Sequence, residues 1–292
     1  MVMRKAVIPA AGLGTRLLPA TKEQPKEMLP VFARGADGQE CLKPLLQLVF
    51  EQLYSLGLRE YCFVIGRGKR AIEDHFTPEY GYAERLKSKG KNAVAADLEN
   101  FYKEIEESTM IWVNQAEPKG FGDAVLKARP FTGDEKFLVH AGDTYIISQR
   151  NSCLSRLMDV DQKLDADATF IVQEVEDTKQ YGVIEFDETG ERELKVKRAV
   201  EKPEKPPSKF AIMPIYAFRP IIFRALERTS PGKDGEIQLT DAIQMLIDWG
   251  LKVYAIELKP EEIRLDIGTP DTYWDALRLS YQYATSKKVQ FE

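Results

Sequence analysis

The chain is 292 residues long, 43% hydrophobic and 30% charged, with a formal net charge of −5; that size accommodates one large α/β domain or two small ones. The acidic balance argues against a nucleic-acid binder, which needs clustered positive charge, but leaves small phosphorylated substrates open because they need only a few local cations. No apolar run approaches the ~20 residues of a membrane span, and Cys41, Cys62 and Cys153 form no CxxC pair, so neither a disulfide framework nor a zinc site is expected.

Met1 to Lys5 leads into a short apolar run and a Gly-rich turn, which is unlike a signal peptide and predicts a cytoplasmic protein. Lys5 to Pro9 reads as a buried strand, followed by a turn-rich stretch from Ala10 to Pro30. Leu45 to Leu56 has helical spacing and stops at Gly57, a suitable C-terminal cap. Tyr61 to Ile65 is a second buried strand, which completes a βαβ unit with a right-handed crossover. A polar, mainly helical stretch separates Ile65 from the next strand, Met110 to Val113. A helix from Gly122 to Arg129 and a strand from Phe137 to Ala141 follow.

Beyond Asp167 strands dominate, at Ala168 to Val175, Gly182 to Phe186, Leu194 to Glu201 and Ile212 to Phe218. Helices return at Pro220 to Arg228, Leu239 to Trp249 and Pro270 to Gln282. No internal repeat is visible, and the one linker-like run, Lys202 to Ser208, is too short to separate domains. The prediction is one α/β domain over 1–292, with a Rossmann-like mixed, mostly parallel sheet flanked by helices.

The sharpest local signal is Ala10-Ala11-Gly12-Leu13-Gly14-Thr15-Arg16, directly after a strand. Small residues let backbone N–H groups approach a phosphate. The loop is not a Walker motif, and Leu17 stands where the dinucleotide fingerprint needs glycine. Prolines at 19, 25 and 30 stiffen the segment that carries Lys22 and Lys26. A tight turn followed by a solvated basic loop is the alternative. Asp143, after the strand Phe137 to Ala141, suits a metal ligand at a strand's carboxyl end or a helix N-cap. Asp266 carries the same two readings, and Asp271 reads as the cap of the last helix. Glu201-Lys202-Pro203 alone reads as an exposed strand end.

The glycine loop followed by Pro25-Lys26-Glu27-Met28-Leu29-Pro30 resembles the signature of sugar nucleotidyltransferases, specifically the bacterial-type UTP–glucose-1-phosphate uridylyltransferases. The similarity extends in the family's order through Ala71 to Phe76, Gln115 to Lys127, Glu201 to Pro203, Gly235 to Ala242 and Asp266 to Pro270. It implies a nucleotide-diphospho-sugar transferase fold, with a nucleotide-binding half at about 1–145 and a sugar-binding half at about 146–292. It also implies roles. Ala11, Gly12, Gly14 and Thr15 would cradle the UTP triphosphate, with Arg16 and Lys26 neutralising it. Gln115 and Gly120 would read the uracil edge. Asp143 and Asp266 would hold Mg2+. Gly182 and Glu201 would face glucose 1-phosphate, and Lys202 would take its phosphate. A homo-oligomer, dimer or tetramer, is expected with these substrates, and no nucleic acid or membrane partner.

The chain departs from the family by an insertion at about Phe32 to Cys41, which could alter the mouth of the site or an oligomer contact. It departs again at His140-Ala141-Gly142-Asp143-Thr144, where the family usually has a second aspartate or a small apolar neighbour. With two histidines and no GxSxG motif, a hydrolase triad is not expected. His140 reads as a core or supporting residue. Phe101, Tyr102, Tyr273 and Trp274 read as packing. The alternatives are a dTTP-using thymidylyltransferase and a non-catalytic sugar-nucleotide sensor. The sensor should have lost a charged residue from the reaction centre, and Arg16, Lys26, Asp143, Lys202 and Asp266 are all present.

Overall fold

The computed structural model describes residues 3–190, 192–232 and 235–286. In chain order its elements are β1 (Lys5–Pro9), β2 (Pro30–Arg34), β3 (Glu40–Pro44), α1 (Leu45–Ser55), β4 (Glu60–Ile65), α2 (Arg70–His75), α3 (Tyr80–Ser88), α4 (Asn92–Glu106) and β5 (Thr109–Asn114). There follow α5 (Phe121–Lys127), α6 (Arg129–Thr132), β6 (Phe137–His140), β7 (Thr144–Ile147), α7 (Ser152–Leu164), β8 (Ala168–Glu174), β9 (Gly182–Glu188), β10 (Glu193–Glu201) and β11 (Phe210–Phe218). The chain continues through α8 (Ile221–Leu226), α9 (Leu239–Asp248), β12 (Val253–Glu257), β13 (Ile263–Asp266) and α10 (Pro270–Thr285).

A nine-stranded sheet runs in the order β5-β4-β1-β6-β11-β8-β12-β10-β9. The neighbours β5, β4, β1 and β6 are parallel, as are β8 and β12. Only β10 and β11 run against the other seven, so the sheet is mixed as expected, with parallel pairing through the half from β5 to β6 and antiparallel pairing around β10 and β11. Its central strands are apolar on both faces because both are covered. Ala6 and Ile8 of β1 pack with α1, α4 and α7, while Val7 packs on the opposite face with α5, α8 and α9. In α1 the positions Leu46, Val49, Phe50 and Leu53 are fully buried, each worth ~1.5–3 kcal/mol relative to exposure. That helix ends at Gly57, which takes φ +90° and donates its N–H to Tyr54 O at 3.0 Å.

The far end of the sheet curls, so that β9 also meets β11 at Val183 and Ala211. Gly182 and Glu201, partners at the open end of the β9–β10 hairpin, are thereby returned toward the end of β6. A separate two-stranded ladder pairs β13 with β7 and sets Asp266 opposite Thr144.

The structure adds elements that the sequence pattern did not yield, namely α7, β12, β7, β13 and the β2–β3 hairpin. The hairpin contains the insertion and lies along α10, where Tyr273 Oη donates to Pro30 O at 3.0 Å and the Phe32 N–H donates to Ser280 Oγ at 3.2 Å. It lines neither of the cavities described below. Two smaller readings are corrected. Thr269, not Asp271, caps α10, in a capping box with Thr272. Phe101 and Tyr102 are buried as expected, but Trp274 is 66% exposed.

Candidate active site

Two cavities, of about 460 and 310 Å³, adjoin where β1 and β6 end, and Arg16, Phe121 and Asp143 line both. That is the edge of an open α/β sheet where ligands gather. Ala11, Gly12, Gly14, Thr15 and Lys26 wall the larger cavity, together with Gln115 and Gly120. Gly182, Glu201, Lys202 and Asp266 line the smaller.

The glycine loop leaves β1 and turns at Gly14, whose φ of +64° favours glycine. Thr21 Oγ1 donates to Gly14 O at 2.7 Å, and a Cβ at Gly14 would lie 3.2 Å from Thr21 Cβ. Arg16 follows in a single 3-10 turn and is exposed. Across the cavity Gln115 follows β5, and its N–H donates to Ile65 O at 2.8 Å. Gly120 takes φ +102° in a segment, residues 119–122, that is clamped against 236–237. Ile237 N–H donates to Lys119 O at 2.8 Å, and Gly122 N–H to Ile237 O at 2.9 Å. A Cβ at Gly120 would lie 2.8 Å from Glu236 Cβ.

Asp143 and Asp266, 123 positions apart by number, are brought together by the β7–β13 ladder and by Ile267 N–H donating to Asp143 O at 3.1 Å. Lys26 Nζ donates to Asp143 Oδ2 at 2.5 Å. Burial opposes ionisation of Asp143, but the Lys26 charge and hydrogen bond outweigh it and hold the carboxyl below its ordinary value. Asp266 is pushed up, first by burial and then by the Asp143 charge. A Cβ at Gly268 would fall 2.8 Å from Asp266 Oδ2, so glycine keeps that oxygen uncovered.

In the smaller cavity Glu201 Oε2 accepts from Thr240 Oγ1 at 2.7 Å, and burial raises its carboxyl above the ordinary value. A Cβ at Gly182 would lie 2.5 Å from Thr240 Oγ1 and 3.1 Å from Glu201 Oε2, so only glycine fits beside this bond. Lys202 takes φ +41°, uncommon for a residue with a side chain. Its N–H donates to Tyr181 O at 3.0 Å, while its Nζ stands 3.9 Å from Glu201 Oε1, a loose pairing that leaves the ammonium available.

Several contributing residues were not singled out in the sequence. Glu27, 1% exposed, accepts from Lys69 Nζ at 2.8 Å beneath the Lys26 turn. Thr240 and Ile237 sat inside the matched block from Gly235 to Ala242, but their partners lie far away in sequence. Arg264 lines the smaller cavity and donates to Tyr181 Oη at 3.0 Å; its position two residues before Asp266 on one strand face was the available signal.

The nucleotidyl transferase family matches residues 5–282. The chain is 37% identical to UTP–glucose-1-phosphate uridylyltransferase of Pseudomonas aeruginosa over 292 residues, which cover 98% of this chain and 99% of the relative. It is 42% identical to the protein of the same name from Bacillus subtilis (strain 168) over 270 residues, or 91% and 87% of the two chains. A crystal structure of UDP-glucose pyrophosphorylase complexed with UDP-glucose matches with a TM-score of 0.81 and 34% identity, covering 96% of this chain and 99% of that one. With its fold, its paired cavities and its full-length relatives in agreement, the chain belongs to the nucleotidyl transferase family, among the UTP–glucose-1-phosphate uridylyltransferases.

Proposed function

We propose that the chain joins UTP to glucose 1-phosphate, giving UDP-glucose and pyrophosphate. The observation that carries this reading is the meeting of two cavities at Asp143, with Arg16 shared between them and Lys26 and Lys202 on either side. The choice of UTP and glucose 1-phosphate is supported by the names of the full-length relatives. In this reading the larger cavity takes the nucleotide and the smaller one the sugar phosphate, so the half at about 1–145 supplies most of the nucleotide's surroundings and the half at about 146–292 most of the sugar phosphate's.

A sugar phosphate has a second pKa of ~6 and is largely dianionic near neutral pH, so no general base is needed. One of its anionic oxygens attacks the α-phosphorus of UTP in line. The bond from that phosphorus to the bridging oxygen breaks, and pyrophosphate leaves with the electron pair. The obstacle is mutual repulsion of two polyanions and the charge that develops between them. Arg16 and Lys26 reduce it on the triphosphate, Lys202 reduces it on the sugar phosphate, and the rigid loop and clamped strand ends fix the approach. Glu201, held by Thr240, accepts from a sugar hydroxyl.

The family generally works with a divalent metal, and Asp143 and Asp266 are the residues that would hold Mg2+ here. Two hard carboxylates from separate strand ends fit an ion that keeps waters and takes substrate phosphates as further ligands. Bound there, it would supply positive charge between the two reacting phosphates.

Asp143→Asn and Asp266→Asn test this assignment. Each should nearly abolish turnover and weaken Mn2+ binding measured by electron paramagnetic resonance, with the melting temperature little changed. Near-normal activity and metal dependence in either variant would remove that residue from the site. For Asp266 a helix-cap role, which Asn would sustain, is already at odds with Thr269 capping α10, and Asp143 precedes a strand rather than a helix.

A cytoplasmic location and a dimeric or tetrameric state complete the proposal. No described helix is long and apolar enough to cross a membrane, and light scattering on the purified chain would measure the assembly.

A further inference from the structure

The Gln115 carboxamide is oriented by the groups around its nitrogen. Nε2 donates to Gly120 O at 3.1 Å and to Asp123 Oδ2 at 2.7 Å. A backbone carbonyl and a carboxylate offer only acceptors, so the amide nitrogen must face both and the amide oxygen must face away. Gln115 and Asp123 are 4% and 5% exposed, so solvent does little to loosen this pairing. Oε1 accepts no hydrogen bond among the described residues, yet it is not one of the buried atoms without a partner. It therefore opens onto the larger cavity, which Gln115 lines. Asp123 is itself anchored. It sits in the first turn of α5, next to the Gly122–Ile237 clamp, and Lys127 Nζ stands 3.9 Å from its other oxygen.

We propose that Asp123 is a positioning residue for base specificity, which turns Gln115 so that an oxygen rather than an NH2 group meets the pairing edge of the base. This deepens, and rests on, the reading of the larger cavity as the nucleotide site. Uracil carries a proton on N3 and can donate it to Gln115 Oε1. Cytosine carries a lone pair on N3, so two acceptors would oppose each other and both would lose their partners. Sites built to hydrogen-bond a substrate group reject an analogue lacking it by ~10⁴–10⁵-fold, because the buried polar group is left unpaired. Asp123 supplies the orienting half of that device, and Gln115 the half that touches the base. Thymine shares the N3 proton, so the device separates uracil and thymine from cytosine and does not separate them from each other.

The test is the ratio of kcat/KM for UTP to that for CTP, each with saturating glucose 1-phosphate, in wild type and Asp123→Asn. The asparagine is isosteric but can donate, so it lets Gln115 turn over and present its NH2 group. The ratio should fall by ~10-fold or more, the value of one hydrogen bond to a charged group, while KM for glucose 1-phosphate and the melting temperature hold steady. Asp123→Ser, too short to reach Nε2, should lower the ratio as well and serves if the asparagine variant does not fold. A purely structural role would reduce activity with both nucleotides alike, and an unchanged ratio in a folded variant would overturn the proposal. If the wild-type chain itself used CTP as well as UTP, the base reading would fail before Asp123 came into question.

Discussion

Lys26 and Asp143, 117 positions apart in the chain, are joined by a 2.5 Å hydrogen bond from the ammonium to Oδ2 at the junction of the two cavities. The asymmetry with Lys202, whose nearest carboxylate oxygen is 3.9 Å away, makes the two lysines separable by kinetics. Lys26→Ala should lower kcat/KM for UTP by ~10²-fold, the loss of a charge-assisted contact of ~3 kcal/mol. Lys202→Ala should mainly raise KM for glucose 1-phosphate. Equal and small effects of both changes on both substrates would contradict these roles.

Beneath Lys26 the ion pair of Glu27 and Lys69 has side chains only 2% and 7% exposed. Removing one partner of a buried pair leaves an uncompensated charge and costs ~3–5 kcal/mol, whereas replacing both by apolar groups is often near neutral. Lys69→Met should therefore destabilise the chain strongly in urea unfolding, and Glu27→Leu combined with Lys69→Met should recover most of the loss. A double variant no more stable than Lys69→Met would show that the pair acts through something other than its charges.

His140 is fully buried, with Nδ1 2.9 Å from Ala141 O, and burial pushes it down to about 4. Its unfolded value is ~6.5. Between these values the unfolded chain binds the extra proton and the folded chain does not, so His140 contributes stability above about pH 6.5 that is lost as pH falls toward 4. Melting temperatures of wild type and His140→Asn from pH 8 to pH 5 check this. The advantage of wild type should shrink on acidification, and parallel curves would contradict it.

Much of the fold was legible because burial on both faces of a parallel sheet leaves short apolar runs such as Ala6 to Ile8 and Tyr61 to Ile65. Gly57 marked the end of α1 for a local reason, its positive φ. Three of the missed strands, β7, β12 and β13, owe their existence to partners distant in the chain. β7 and β13 are four residues each and pair across more than a hundred positions, so neither carries a pattern of its own. α7 does carry helical spacing, at Cys153, Leu154, Leu157 and Val160, but its start is unmarked because Arg150 and Asn151 take positive φ without glycine. The insertion offered no periodicity to reveal that it would fold as a hairpin on α10. In the site, the glycine loop and the charged residues were readable as chemistry, and their family order suggested that they converge. The supports were not readable. The clamp of Lys119 and Gly122 on Ile237 and the Thr240–Glu201 bond beside Gly182 join residues distant in sequence, and the Asp123 hold on Gln115, eight residues away, depends on how the loop between them turns at Gly120.

The most direct measurement is pyrophosphate release by the purified chain with Mg2+, across UTP, dTTP, ATP and GTP, each combined with glucose 1-phosphate and three other sugar 1-phosphates. UTP with glucose 1-phosphate should give the highest kcat/KM. Thymine differs from uracil by one methyl group, which a pocket distinguishes by only ~10–200-fold, so dTTP should remain measurably active where the ribose 2′-hydroxyl that it also lacks makes no buried hydrogen bond. A highest kcat/KM with ATP or GTP, or no pyrophosphate from UTP and glucose 1-phosphate, would contradict the assignment.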